Sequence, residues 1–224
     1  YKLLWAKAFR TPNIENIRYA ETINVILDSE ETTSIEAEVG YQFTDSLFAT
    51  LNIFDIKIDD PIVFDSVQGS YINSDTIASR GVEAGLRFLP TWGDVKVSYA
   101  FYKSVKSGVP IYRTEDDDQA PSLPNHQISV DTTYYLSEDS SLNLNGFVTS
   151  KYRTYKSNSG FPTDKVNPKL ILTTYYQKMV GSWKLGLGIS DILDQNEKIG
   201  SYDSEQSPLP MMGREIFFTL KHTF

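Results

Sequence analysis

The chain has no cysteine among its 224 residues, which rules out a disulfide framework, a thiolate zinc site and a cysteine nucleophile. Histidine is nearly as scarce, with two copies. Any acid–base or nucleophilic site that needs an imidazole must therefore draw on His126 or His222. Basic residues are outnumbered, 21 Lys and Arg against 29 Asp and Glu, and the formal net charge is -8. With no cationic surplus to displace phosphate counterions, nucleic acid is excluded as a partner. No apolar run approaches the roughly 18 to 20 residues that a membrane-crossing helix needs, and no convincing helical periodicity appears. A membrane can be crossed by this chain only with strands.

What is abundant fits strands. There are 14 Tyr, 12 Phe and 3 Trp, yet the hydrophobic share is only 40% and mean hydropathy is -0.32. Segments with one apolar and one polar face give that balance. Tyr1-Lys2-Leu3-Leu4-Trp5 opens in what reads as mid-strand, with nothing like a signal peptide, so the expectation is that further residues precede it.

Period-2 alternation predicts roughly ten strands, near 2–9, 32–44, 46–58, 76–89, 94–105, 125–137, 141–155, 169–180, 182–193 and 213–224. Their connectors alternate between tight and long. Asp45-Ser46, Pro90 to Asp94, Glu138 to Ser140 and Gly181-Ser182 are tight, whereas 10–31, 59–75, 106–124, 156–168 and 194–212 are long and polar. Outer-membrane barrels have short periplasmic turns and long extracellular loops. The reading is therefore an all-β, antiparallel, up-and-down transmembrane barrel wall, with residues 1–224 as one domain fragment. A soluble sandwich with one buried face gives the same alternation but has no reason to sort its loops.

The faces separate cleanly. Ile35, Ala37, Val39, Tyr41 and Phe43 oppose Glu36, Glu38, Gly40 and Gln42; Val82, Ala84, Leu86 and Phe88 oppose Glu83 and Arg87. Val95, Val97, Tyr99 and Phe101 oppose Lys96 and Ser98, and Trp183, Leu185, Leu187 and Ile189 oppose Lys184, Gly186, Gly188 and Ser190. Tyr41, Phe43, Phe88, Trp92 and Trp183 lie near tight turns, where a periplasmic aromatic girdle belongs.

Several segments resemble the C-terminal barrel of TonB-dependent outer-membrane receptors. Ala8-Phe9-Arg10-Thr11-Pro12 resembles that family's Ala-Phe-Arg-x-Pro strand end. Glu30 to Glu36 resembles its Pro-Glu-x-Ser-x-x-x-Glu strand entry without the proline, and Ser79-Arg80-Gly81-Val82-Glu83 matches its Ser-Arg-Gly-Val-Glu start. Pro124-Asn125-His126 resembles its Pro-x-His entry, and Ser190 to Asp194 its Asn-Leu-Phe-Asp element. Ile216, Phe218, Leu220, His222 and Phe224 look like the terminal-strand signal read by the barrel assembly machinery, with His222 departing from the usual aromatic.

The resemblance implies the last ~10 strands of a 22-stranded barrel, with the N-terminal plug domain absent from this chain. It implies residence in the Gram-negative outer membrane among its lipids. Energy would come from the TonB–ExbB–ExbD complex through the plug, for uptake of a ferric siderophore, haem, cobalamin or oligosaccharide. Glu36, Glu38, Glu83, Arg87, Lys96, Asp131 and Lys184 would then face the plug.

Two alternatives stay open at this point, a passive channel without a plug and a barrel hydrolase. The hydrolase requires His126 or His222 near a partner, yet the two fall at opposite ends of the barrel. No catalytic residue and no resident cofactor is expected. Tyr71, Tyr112, Arg113, Tyr155, Phe161 and Tyr202, in or beside long loops, are candidates for contact with a small molecule or metal chelate. Asp116, Asp117 and Asp118, after Glu115, with Asp59 and Asp60 elsewhere, offer oxygen ligands to a loop-bound Ca²⁺, although their spacing matches no EF-hand.

Overall fold

An alternating segment has a polar row, an apolar row and a backbone that only lateral pairing can satisfy. The computed structural model describes residues 1–65, 68–107, 120–154, 164–195, 198–199 and 209–223. The chain begins with β1 (Lys2–Arg10), helix α1 (Ile14–Glu21), β2 (Glu30–Thr44) and β3 (Leu47–Asp59). A short pair, β4 (Ile62–Asp65) and β5 (Ser70–Asn73), precedes β6 (Ile77–Phe88), β7 (Gly93–Ser107), β8 (His126–Ser137) and β9 (Ser140–Thr149). A second short pair, β10 (Tyr152–Thr154) and β11 (Asp164–Val166), leads to β12 (Lys169–Val180) and β13 (Trp183–Ser190). A third, β14 (Lys198–Ile199) and β15 (Leu209–Pro210), precedes β16 (Glu215–His222).

Ten of these strands form one sheet in the order β1-β2-β3-β6-β7-β8-β9-β12-β13-β16. Each neighbour is antiparallel and next in the series, as an up-and-down wall requires. All four tight turns therefore fall at one end and all long connectors at the other. Aromatic pairs mark the tight end: Tyr41 with Phe43 at 4.8 Å, Trp92 with Tyr134 at 5.5 Å, and Trp183 with His222 at 4.5 Å between ring centroids.

The sheet has no protein core on its apolar face. Among the described residues the buried hydrophobic set is Ala20, Ile62, Val63, Tyr152 and Val166, none of them in the ten-stranded sheet. Ile35, Ile53 and Phe218 keep 55%, 54% and 65% of their surface exposed. A soluble sandwich would bury this face against a second layer, whereas here lipid is the cover it calls for. The stretch from Ile35 to Phe43, at about 3.3 Å per residue and a barrel strand's roughly 40° tilt, rises about 20 Å, near the ~25 Å of an apolar belt. Beyond it, towards the long connectors, the same face turns to ion pairs: Lys7–Glu31 at 2.8 Å, Lys57–Asp59 at 2.7 Å and Arg80–Asp55 at 3.0 Å.

Three predicted strands need correction. The one read over 141–155 ends at Thr149, and Tyr152–Thr154 leave the wall to pair with β11. The one read over 182–193 ends at Ser190, because Asp191 and Asp194 take left-handed φ values of 47° and 48° and turn the chain. The last, read over 213–224, spans Glu215–His222; Ile216, Phe218, Leu220 and His222 share its apolar face, and Phe224 lies outside the described residues.

A helix also stands where only a loop was expected. α1 is too short to show periodicity, but Asn13 and Asn16 close a reciprocal cap: Asn16 N–H donates to Asn13 Oδ1 at 2.8 Å, and Asn13 N–H to Asn16 Oδ1 at 3.1 Å. A helix this short depends on packing, which Ala20 supplies by being fully buried.

On the polar face, Gly186 and Gly188 of β13 let side chains from both neighbouring strands meet over them. Tyr175 of β12 shares a 2.6 Å hydrogen bond with Thr219 of β16 and stacks on Phe217 at 5.9 Å. A Cβ at Gly186 would collide with Tyr175 and Thr219, and one at Gly188 with the Phe217 ring. Gly188→Val is expected to lower the urea midpoint for folding into lipid vesicles by the equivalent of about 1–3 kcal/mol, the usual penalty of overpacking. An unchanged midpoint would show that the bridge over β13 carries no stability.

Candidate functional site

Among the described residues, the connectors at the long end build two small protein cores. In the first, α1 packs on the β4–β5 hairpin, where Tyr19, Phe64 and Tyr71 meet edge to face at 5.3 to 6.3 Å. Ile62 and Val63 are buried beneath them. Asn73 fastens the hairpin to the wall: its Nδ2 donates to the carbonyls of Asp28 (3.0 Å) and Asp60 (2.7 Å), and its Oδ1 accepts from Asp28 N–H (2.7 Å). Arg10 forks onto Glu30 at 2.6 and 2.8 Å, and the same carboxylate accepts Ile62 N–H at 3.1 Å.

The second core holds Tyr152, Val166, Arg153, Thr154 and Lys169, all buried. Lys169 sits 5.8 Å from the Tyr152 ring and 3.7 Å from Met211 Sδ. Its burial was not legible in the sequence, where it reads as an ordinary strand-start lysine. Tyr19 and Phe64 were also missed: Phe64 stands directly opposite Tyr71 across the hairpin, and only the tertiary docking of α1 brings Tyr19 to both.

Of the loop residues singled out as ligand contacts, Tyr71 is the one within the described residues. Tyr112, Arg113, Tyr155, Phe161 and Tyr202 lie outside them, as do Asp116, Asp117 and Asp118. Asp59 is engaged elsewhere, accepting from Thr76 Oγ1 and Lys57 Nζ at 2.7 Å each. Among the described residues no group of three or more acidic, histidine or cysteine side chains is poised to hold a metal.

The wall charges sort into two levels on the polar face. Glu38 stands opposite Asn52, Asn52 opposite Glu83, and that row continues through Ala100 to Gln127. Glu36 lies two residues along, accepting from Ser34 Oγ at 3.0 Å. Glu38 and Glu83 line a cavity of about 370 Å³ with Thr50, Asn52, Ser98 and Gln127. Nearer the tight turns, Arg87, Lys96 and Asp131 share another row. There Asp94 takes Arg87 at 3.0 Å and Lys96 at 3.6 Å, while Asp131 accepts from Asn143 at 3.3 Å. Lys184 stands apart on β13, opposite Met179 and Lys221.

His126 and His222 occupy the apolar face at opposite ends of the wall. Tyr99 OH bonds to His126 Nδ1 at 2.9 Å and Phe101 covers the ring, while His222 lies against Trp183.

Residues 3–191 match the family described as TonB dependent receptor-like, beta-barrel. The fold is that of solved outer-membrane receptors. The ferric-catecholate import receptor Fiu from E. coli K12 superposes with a TM-score of 0.77 at 14% identity, over 99% of this chain and 32% of that one. The copper transporter OprC gives 0.74 at 18% identity, over 98% and 36%. The FrpB iron transporter from Neisseria meningitidis gives 0.72 at 13%, over 97% and 36%. The chain thus spans about a third of the length of these proteins. No curated protein matches it significantly.

The Arg10–Glu30–Ile62 tie titrates above the apolar belt. Burial pushes the Glu30 carboxyl up, but the Arg10 and Ile62 hydrogen bonds and the guanidinium charge together outweigh it and leave the group below its ordinary value. A lowered carboxyl stabilises the fold above its unfolded pKa, and that stability is lost as pH falls through the folded value. Amide-exchange protection at Ile62 should therefore hold at neutral pH and fall once the pH drops below the ordinary carboxylate range. Glu30→Gln should lower protection at neutral pH and remove the acid-dependent fall. Protection that ignores both pH and Glu30→Gln would contradict the tie.

Proposed function

The chain belongs to the TonB-dependent receptor β-barrel family, and from that membership we propose that it walls a receptor for energy-coupled uptake of a scarce nutrient across the Gram-negative outer membrane. A metal chelate comes first among the cargoes, because the superposable structures include a ferric-catecholate import receptor, a copper transporter and an iron transporter. Haem, cobalamin and oligosaccharide are the others. The observation that carries the proposal is the family match over residues 3–191 on a wall whose connectors are sorted by length. Hydrolysis has no place in it.

Capture occurs on the loop side, where Tyr71 and Phe64 of a hairpin clamped to the wall, with Tyr19 of the helix docked on it, present flat rings. Tyr112, Arg113, Tyr155, Phe161 and Tyr202 add contacts from the neighbouring loops. Tight capture cannot by itself move cargo uphill, since a ligand shifts an equilibrium only by its differential affinity for two states. Work arrives from TonB, ExbB and ExbD through a plug that the polar face surrounds. Glu36, Glu38, Glu83, Arg87, Lys96, Asp131 and Lys184 meet that plug through solvated contacts. Each such pair is worth only about 0–1 kcal/mol, so the plug is remodelled without breaking the wall.

The test uses cells lacking the receptor and cells carrying its full-length form. Growth on a single source, either a ferric catecholate, haem, cyanocobalamin or a maltooligosaccharide, identifies the cargo. With that compound radiolabelled, a protonophore should abolish accumulation while leaving surface binding intact, and Tyr71→Ala should weaken binding several-fold. Accumulation that persists with the protonophore would replace the proposal with passive diffusion.

A further inference from the structure

One feature of the apolar face is not an even belt. Between β2, β3, β6 and β7 lies a groove of about 480 Å³, walled by Ile35, Ile53, Val82 and Phe101 with Ala37 as its small floor residue. The register places Ala37, Ile53, Val82 and Phe101 in one row across four strands. The next row towards the long connectors runs from Ile35 to Asp55, Arg80 and Lys103. The groove is thus apolar along its length and charged at one end, the end facing the extracellular side.

That end carries a surplus cation. At this level and beyond on the same face, Lys7 pairs with Glu31, Lys57 with Asp59, and Arg80 with Asp55. Lys103 is exposed and has no ion-pair partner among the described residues. Arg80 spends one edge on Asp55, and its side chain remains 58% exposed, leaving other guanidinium N–H groups to donate.

We propose that this groove is a lipid site, in which one acyl chain lies over Ala37 between Ile53 and Phe101 and a phosphate-bearing headgroup of the outer leaflet is held by Arg80 and Lys103. Charge complementarity selects this occupant. A net-anionic phosphate headgroup gains most from Lys103, since a zwitterionic one brings a cation of its own beside that ammonium, and a helix or second copy laid here would leave the ammonium in an apolar contact. The depth at Ala37 supplies shape, since every neighbouring wall residue of the row is larger. The site rests on the apolar face meeting lipid and is independent of what the receptor transports.

Full-length receptor purified in detergent is titrated with dioleoyl phosphatidylglycerol and, separately, with dioleoyl phosphatidylcholine, and bound lipid is counted by native mass spectrometry. Phosphatidylglycerol should bind first and more tightly. The Arg80→Gln/Lys103→Ala double variant should lose roughly tenfold in that affinity and with it the preference. Ala37→Leu, which keeps the face apolar and fills the groove, should weaken both lipids. Excess inorganic phosphate should leave phosphatidylglycerol in place. Equal binding of the two lipids, a preference that survives the double variant, or displacement by inorganic phosphate would each overturn the site while leaving the membrane wall standing. A receptor that retains neither lipid would overturn the lipid-facing assignment as well.

Discussion

Lateral backbone pairing inside a medium that offers no hydrogen bonds is the constraint on which everything else in this chain depends. A strand crossing hydrocarbon must give every N–H and C=O a partner in its neighbour. In the ten-stranded sheet the inner strands pair with antiparallel neighbours on both sides and β1 and β16 along one edge each, with register irregularities near strand ends, at Gln42/Thr44, Ala78/Ser79 and Tyr135/Ser137. Once pairing is fixed the side chains have no freedom of face. A one-residue slip would turn Glu38 and Glu83 to lipid and Ile53 and Val82 to the lumen.

The same constraint explains where protein cores are found. The wall needs none, because lipid covers one face and the other is built largely from Thr, Ser, Asn, Gln and charge, with aromatic contacts such as Tyr175 on Phe217 laid over it. The two buried clusters lie in the connectors, where water returns and a segment must pack to be ordered. Arg10, Glu30, Ile62 and Asn73 bind the first cluster to the ends of β1, β2 and β3. Held this way, the rings of Tyr19, Phe64 and Tyr71 keep their places above the wall, as the proposed capture of cargo at the loop side requires.

Sequence reading was strongest where period-2 alternation is long. Strand identity over 32–58 and 77–105 was legible from alternation alone, and so was the face of every wall charge from Glu36 to Lys184. It failed where order depends on tertiary contacts. α1 leaves only Asn13 and Asn16 as a trace, and β10 was merged into the strand before it because Tyr152 continues the alternation past Ser150 and Lys151. The docking of Tyr19 on Phe64 and Tyr71 joins residues some fifty apart and has no local signal. The lipid-facing groove was equally hidden, because Ala37 reads as one more small apolar residue until register sets it beside Ile53, Val82 and Phe101.

The absence of cysteine from this chain makes its central claim directly measurable. Single cysteines placed in turn from Leu47 to Asp59 along β3, in the full-length protein reconstituted in vesicles, can be challenged with a water-soluble maleimide. Labelling should alternate along the strand, with Thr50 and Asn52 positions reactive, Ala49, Leu51 and Ile53 positions protected, and reactivity on both faces only from Asp55 onward. Uniform labelling, or protection at Thr50 and Asn52 with reactivity at Leu51 and Ile53, would contradict a wall whose apolar face meets lipid.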